Sequence, residues 1–288
     1  MATLSFTTIP GWDLITGFGC PSKGLAGICS NEVPHVVTYP ISLEATEFTG
    51  SYEQILDSIR NFAAGNTVHA AIVLFGNAGG ENQFLRDFQQ IIQCPVVGGG
   101  AAFDVTSGKS GLIPGHGQAA VLLITDDRYT YTTQTKCIHQ EILEECILTT
   151  ADPRTILTIN GIDAVAFLAE KRKHYGLADN DFEHVTLSDT KNVNAHLSCS
   201  DGLIRSGRDV QAKMLLRYIP HESVYDSMRE FYDDPGAIVF GCAGLSGILD
   251  KPLDTTSLGL FLYGEVCTVD GIAEFGNLML SKLIINAK

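Results

Sequence analysis

The sequence predicts an α/β (α+β) fold of two similar halves, with layered β-sheets flanked by helices in an αββα-like sandwich. Three observations carry this expectation. Continuous apolar and β-branched runs at VHAAIVLF (68–75), QAAVLLI (118–124) and GAIVFG (236–241) read as strands buried on both faces. Amphipathic helical stripes alternate with them. Two segments also resemble each other, AIVLFGNAGG (71–80) and AIVFGCAGLSG (237–247). Each is an apolar strand that enters a Gly and Ala loop after an amphipathic helix, which suits either a distant internal duplication or chance similarity of two buried strands built from few residue types. The expected division places one unit at 1–150 and the other at 151–288.

The elements follow in order. S-Y-E-Q from Ser51 is a capping box: the Ser51 hydroxyl accepts from an early backbone N–H and Gln54 reaches back. Ile55, Leu56, Ile59, Phe62 and Ala63 then fall on one helical stripe, which Gly65 and Asn66 stop. The strand at 68–75 leads into GNAGG, and a second helix carries Phe84, Leu85, Phe88, Ile91 and Ile92 inward. Pro95 prevents that helix from continuing, so CPVVGGGAAFD (94–104) is a short strand running into glycine-rich backbone. A loop with Lys109 and His116 precedes the strand at 118–124. In the second half, RTILTING (154–161) predicts a strand and turn. Ile162, Val165, Leu168 and Ala169 predict a helix closing near Gly176, with KRKH in its last turns where cations suit the helix dipole. Strands are expected at AKMLLRYI (212–219) and GAIVFG, separated by a helix bearing Val224, Met228 and Phe231, and SLGLFLYGEV and EFGNLML close the chain.

Composition narrows the function classes. The 288 residues carry 19 Lys and Arg against 33 Asp and Glu, a formal charge of −14, with 45% hydrophobic residues. Folding a chain of this size buries about 73% of its unfolded surface, so no metal or disulfide staple is needed for a core. Residues 1–150 hold 6 basic and 14 acidic groups, and residues 151–288 hold 13 and 19. Neither half offers the clustered cations that nucleic acid or an anionic membrane requires, so neither partner is expected. MATLSFTTIPGWDL lacks the basic head and apolar stretch of a signal peptide, and no run reaches the roughly 18 apolar residues of a membrane span. A cytoplasmic location is the expectation. The eight cysteines form no CxxC pair, which suits free thiols in a reducing compartment.

Candidate site residues come from the glycine loops and from polar groups set in apolar strands. Glycines just after buried strands let backbone approach a ligand, and three such loops exist, at 76–80, 98–100 and 241–247. They nominate Asn77, Gly98, Gly99, Gly100 and Gly244; tight turns and close packing are the competing explanation. SGKS (107–110) is no P-loop, because its first glycine would fall at Phe103, and no GxGxxG opens a helix. Cys242 follows an apolar strand in a Gly-rich loop whose N–H groups would lower its pKa. That makes a cysteine-dependent hydrolase or transferase, with Glu265 as acid or base, the enzymatic alternative. Glu265, in LYGEV, and Asn277, in FGNLM, are polar residues among apolar neighbours, suited either to a ligand's amine or hydroxyl or to backbone groups in bends. Cys137, His139 and Cys146 match no zinc spacing and are expected in a strand-to-helix passage. A single axial His or Cys would suffice for haem, and His35, His69, His116, His184, His196 and His221 have equal claims.

Several of these motifs together resemble a family. VVGGGAAFD followed by SGLIPGHGQAAVLLI is similar to the amino-terminal part of FIST domains. TILTINGIDAVAFL is similar to the N-G-x-x-A-x-x-x-L start of their carboxy-terminal part. AIVFGCAG, GLFLYGEV and FGN resemble its ending, commonly F-x-C-x-x-R, G-x-x-x-x-G-E and a polar H-N-like close. The resemblance spans roughly 68–280. Leu245 stands near where the family often has Arg, and Phe275 and Gly276 precede Asn277 where His is common. The resemblance implies an intracellular sensory protein that binds a small ligand such as an amino acid and passes the signal to a kinase or other output protein. Some relatives are haem-containing nitric oxide sensors that regulate histidine kinases, so haem is a candidate cofactor. Neither an F-box, which one eukaryotic branch carries, nor a kinase segment is visible, so the output would run through a partner.

Overall fold

The computed structural model describes residues 2–7, 36–76, 79–100, 103–104, 109–110, 118–179, 181–234, 236–242, 244–245, 248–249, 258–262 and 264–288. β1 (Ala2–Thr7) pairs antiparallel with β2 (Val36–Leu43). Then come β3 (Ala45–Gly50), α1 (Tyr52–Ala63), β4 (Ala70–Phe75), α2 (Glu81–Ile91) and β5 (Val96–Gly100). The short pair β6 (Phe103–Asp104) and β7 (Lys109–Ser110) precedes β8 (Ala119–Ile124). The capping box forms as the sequence requires, with Gln54 N donating to Ser51 Oγ at 3.3 Å and Ser51 N to Gln54 Oε1 at 3.0 Å.

After β9 (Tyr129–Cys137) the chain builds β10 (Glu141–Asp152), β11 (Thr155–Ile159), β12 (Ile162–Asp163), α3 (Ala164–His174), β13 (Val185–Ser188) and β14 (Asn194–Ala195). β15 (Leu197–Ser200), β16 (Leu203–Ser206), β17 (Lys213–Tyr218), α4 (His221–Tyr232) and β18 (Ala237–Cys242) follow. β19 (Leu258–Leu262), β20 (Glu265–Val269), β21 (Ile272–Gly276) and β22 (Met279–Ala287) complete it.

Three sheets dominate. One has the order β21-β20-β5-β4-β8-β3, the second β19-β18-β22-β9, and the third β14-β13-β17-β10-β11-β16-β15 with β12 beside β11. The first two repeat one connectivity. β4 runs parallel to β5 and antiparallel to β8, which pairs antiparallel with β3. β18 likewise runs parallel to β19 and antiparallel to β22, which pairs antiparallel with β9. The similarity of AIVLFG to AIVFGC therefore marks equivalent central strands, each preceded by a helix. The second of these arrangements begins at β9. The division expected at 150 falls inside β10, and the β20–β21 hairpin crosses back to extend the first sheet beside β5.

Alternation along the central strands sets the layers. Ala71, Val73 and Phe75 of β4 pack against Ile55 and Ile59 of α1 and Phe84, Leu85 and Phe88 of α2. Ala70, Ile72 and Leu74 face the second sheet, meeting Ile238, Phe240, Leu283 and Ile285. The outer face of β18 carries Val239 onto Val224, Met228 and Phe231 of α4. The result is helix, sheet, sheet, helix, in agreement with the expected αββα sandwich. Because both faces of β4 and β18 are covered, all six residues of each are buried, and each large apolar side chain removed from water there contributes about 1.5–3 kcal/mol. The third sheet has its own core, where Phe167 and Leu168 of α3 pack on Leu148, Ile156, Leu187 and Leu216.

The passage around Cys137, His139 and Cys146 departs from expectation: it joins strand to strand. Cys146 and Leu148 point into the core while Ile147 is 48% exposed, a two-residue period that suits a strand. Among the described residues no helix is long and apolar enough to cross a membrane.

Candidate functional site

The ends of the two central strand pairs meet at one corner of the sandwich. β20 pairs antiparallel with β5 so that Glu265 lies opposite Gly99 and Val266 opposite Gly98, and Gly100 N donates to Gly264 O at 2.9 Å. A Cβ on Gly99 would stand 2.1 Å from Gly264 O, and one on Gly98, at φ +132°, 1.9 Å from Val73 O. Backbone thus fills the space that these two glycines leave open. Their absent side chains serve the close approach of β4 and β20 to β5, and a ligand does not need to be invoked for them.

Glu265 is fully buried. Its Oε2 accepts from Met279 N at 3.1 Å, and Oε1 has no hydrogen-bond partner. Burial pushes the carboxyl well above its usual range, against the opposing effect of hydrogen bonds from Met279, the Cys242 side chain and Gly264. Burial thus favours the neutral form of the carboxyl. Cys242 ends β18 beside it, 5% exposed. The pKa lowering expected for this thiol does not occur. Burial raises it first and the Glu265 carboxyl second, and together they outweigh hydrogen bonds from backbone at Leu278, Gly244 and Gly264. A cysteine nucleophile needs the reverse shift, so the enzymatic alternative loses its premise.

Asn277 lies in the β21–β22 connection, 6% exposed, with its N–H donated to Asn194 O at 3.0 Å. Its amide occupies room left by two glycines, since a Cβ on Gly207 would lie 2.6 Å from Asn277 Oδ1 and one on Gly264 2.8 Å from Asn277 Nδ2. Oδ1 itself has no partner. The next residue, Leu278, is fully buried at φ 53°. The other non-glycine residues at positive φ are Asn and Asp, which tolerate it; a leucine there is strained by roughly 1–3 kcal/mol. That turn aims backbone at Glu265 Oε2 from Met279 and at the Cys242 thiol from Leu278.

Other proposed positions are less informative. A Cβ on Gly244 would lie 3.8 Å from Cys242 Sγ and 3.0 Å from Leu278 Cδ2, so this glycine borders the same corner. Asn77, His35, His116, Cys20 and Cys29 lie outside the described residues. Cys199 is an exposed free thiol. Two cavities of 620 and 500 Å³ have walls of described residues, and neither wall includes Gly98, Gly99, Gly100, Cys242, Gly244, Glu265 or Asn277.

Sequence reasoning missed Tyr232, a buried tyrosine of α4 whose hydroxyl pKa is raised by burial and then by Glu265 and Cys242. Its position, four residues after Met228 on the inward stripe, was the available signal. It also missed the buried network of the third sheet, which no local pattern announces. There His139 Nε2 meets Glu183 O at 2.6 Å and its Nδ1 meets Asn194 Nδ2 at 3.2 Å, and burial pushes its pKa down to about 4.

Both ring nitrogens of His139 are engaged and His196 Nε2 meets Glu183 at 3.3 Å; His184 Nδ1 is held by Asp181 at 2.9 Å while its Nε2 is buried with no hydrogen-bond partner. The walls of both cavities carry Lys and Arg, whereas haem needs an apolar slot. Among the described residues no group of three His, Cys, Asp or Glu side chains is placed to hold a metal ion. No protein-family model and no curated protein matches this chain.

Proposed function

We propose that this chain is a small-ligand-binding sensory protein of the FIST type, which takes an amine-bearing ligand such as an amino acid at Glu265 and Asn277 and passes occupancy to a partner protein, a kinase or other output. One observation carries the reading. Two buried oxygens at the same corner, Glu265 Oε1 and Asn277 Oδ1, have no hydrogen-bond partner. Unpaired buried acceptors cost about 1–3 kcal/mol each, and an ammonium or amine supplies the missing N–H groups. Arrival of a cation also lets Glu265 ionise, because an adjacent positive charge offsets the cost of burying the carboxylate. The ordered motifs at 96–104, 155–168, 237–244, 259–266 and 275–277 support the family, and strain at Leu278 supports a functional corner. Asn277 offers a physical link to an output, since its N–H is held by Asn194 of the third sheet.

Calorimetry and thermal-shift measurements on the full chain against the standard amino acids and simple primary amines test the reading. At least one is expected to bind and to lose most of its affinity in Glu265→Gln. If nothing in the set binds, or if Glu265→Gln binds as wild type does, the reading fails.

A further inference from the structure

The 620 Å³ cavity sits where the three sheets meet, between Lys136 of β9, Arg217 of β17, Lys191 and Asn192 of the turn after β13, and Asp270 of the turn after β20. Its volume is that of a small-molecule pocket. Arg217 is the anomaly in its wall. It is 6% exposed, and its guanidinium makes three hydrogen bonds, all to neutral acceptors: Nε to Ser188 Oγ at 2.6 Å, Nη1 to His139 O at 3.0 Å and Nη2 to Asn192 Oδ1. A guanidinium has five N–H donors, so one on each Nη remains to be used. No carboxylate among the described residues lies within ion-pair distance of it.

Of the two other buried arginines among the described residues, Arg208 is ion-paired, with Nη2 3.1 Å from Asp189 Oδ2 and 3.8 Å from Glu274 Oε2, whereas Arg172 has no ion pair and lies over the Phe182 ring. A buried cation without a counter-charge is costly, and Arg217 differs from Arg172 in bordering open space, in a chain of net charge −14. Two ammonium groups share the wall. Lys136 holds Glu230 at 2.7 Å, but that carboxylate's side chain is 78% exposed, so water screens the pair; Lys191 reaches Glu274.

We infer that this cavity binds a small organic dianion, gripped by the two free N–H groups of Arg217 and flanked by Lys136 and Lys191. A planar guanidinium pairs with the two oxygens of a carboxylate or phosphate in the same forked way, so a phosphate monoester and a dicarboxylate share the required chemistry. This site is separate from Glu265 and does not depend on the ligand proposed there.

The test is calorimetry of the full chain at low ionic strength with inorganic phosphate and, in a second arm, succinate, each against sodium chloride at matched ionic strength. Saturable binding of one anion per chain is expected in at least one arm; phosphate alone identifies a phosphorylated ligand and succinate alone a dicarboxylate. Arg217→Gln is expected to weaken it about tenfold or more, as loss of a charge-assisted forked contact implies, and Lys136→Met by a smaller factor, with Glu265→Gln unchanged. If Arg217→Gln does not fold, Arg217→Lys, which keeps the charge and loses the fork, and Lys136→Met supply the reading. The inference is overturned if neither anion binds beyond the salt control, or if binding is the same in wild type and in every folded Arg217 and Lys136 variant.

Discussion

Glu265 ties the stability of this fold to pH in a direction opposite to most carboxylates. In the unfolded chain it titrates near 4.5; in the folded chain burial holds it neutral well above that value. Below pH 4.5 both states keep the proton and the full stability is present. As the pH rises past 4.5 the unfolded state releases its proton and the folded state does not, so the folded state binds more protons and loses stability with rising pH. One proton of difference gives a slope of about 1.4 kcal/mol per pH unit, continuing until the pH reaches the raised folded value. No discount for solvent screening applies, because the side chain is fully buried. Glu265→Gln keeps an oxygen able to accept from Met279 N and cannot titrate, so it removes the slope and leaves a constant offset. Urea unfolding of both proteins, followed by circular dichroism at half-unit steps from pH 5 to 8, isolates the effect, since every other titrating group cancels in the difference. Wild type is expected to lose ground to the variant as pH rises. A difference that stays flat across the series, or that favours wild type more at high pH, refutes the account of Glu265 as a buried neutral acid. The same linkage predicts that an ammonium ligand binds more tightly as pH rises through this window, by up to about tenfold per unit, because binding expels the proton.

Two further outcomes are specific. Cys242, 5% exposed with its thiol pushed upward, is expected to alkylate with iodoacetamide far more slowly than the exposed Cys199 in the native protein, read by peptide mass spectrometry; faster labelling at Cys242 would restore the enzymatic alternative. Gly99→Ala drives a Cβ to 2.1 Å from Gly264 O and 2.7 Å from Leu262 Cδ1, and is expected to cost about 1–3 kcal/mol or more by prying β20 from β5; an unchanged urea midpoint would mean that the strands are not so close.

The parts of the fold legible in the sequence were those fixed by nearby residues. The capping box at Ser51, the stop at Pro95 and the doubly buried runs of β4, β8 and β18 depend on spacing that a single segment contains. β9 and β10 were not legible. YTYTTQTKC gains its partner, β22, from about 150 residues further on, and EILEECILTTAD becomes a strand because β17 and β11 flank it, which overrides the helix preference of its glutamates. Position 150 lies inside β10, and the pairing of β20 with β5 across it is a property of strand pairing that leaves no mark in composition.

The site was legible to the extent that a polar residue set in an apolar strand is anomalous by itself. Glu265 and Asn277 stood out on that ground, and the fold brings both to the corner where β5 and β18 end. The glycines were ambiguous in sequence because a close backbone contact and an open ligand wall need the same missing Cβ; only the position of Val73 O and Gly264 O decides for Gly98 and Gly99. Arg217 was invisible for the opposite reason. Arginine in RYIP, at the end of a strand, is unremarkable until pairing with β13 and the approach of Asn192 bury it, and what makes it informative is the carboxylate that the chain does not place beside it. Glu265, a buried carboxyl with an unpartnered oxygen, and Arg217, a buried guanidinium with no ion pair, are both exceptions in one interior. Arg172 is also buried without an ion pair, so what sets Arg217 apart is its place in a cavity wall that holds Lys136 and Lys191 as well.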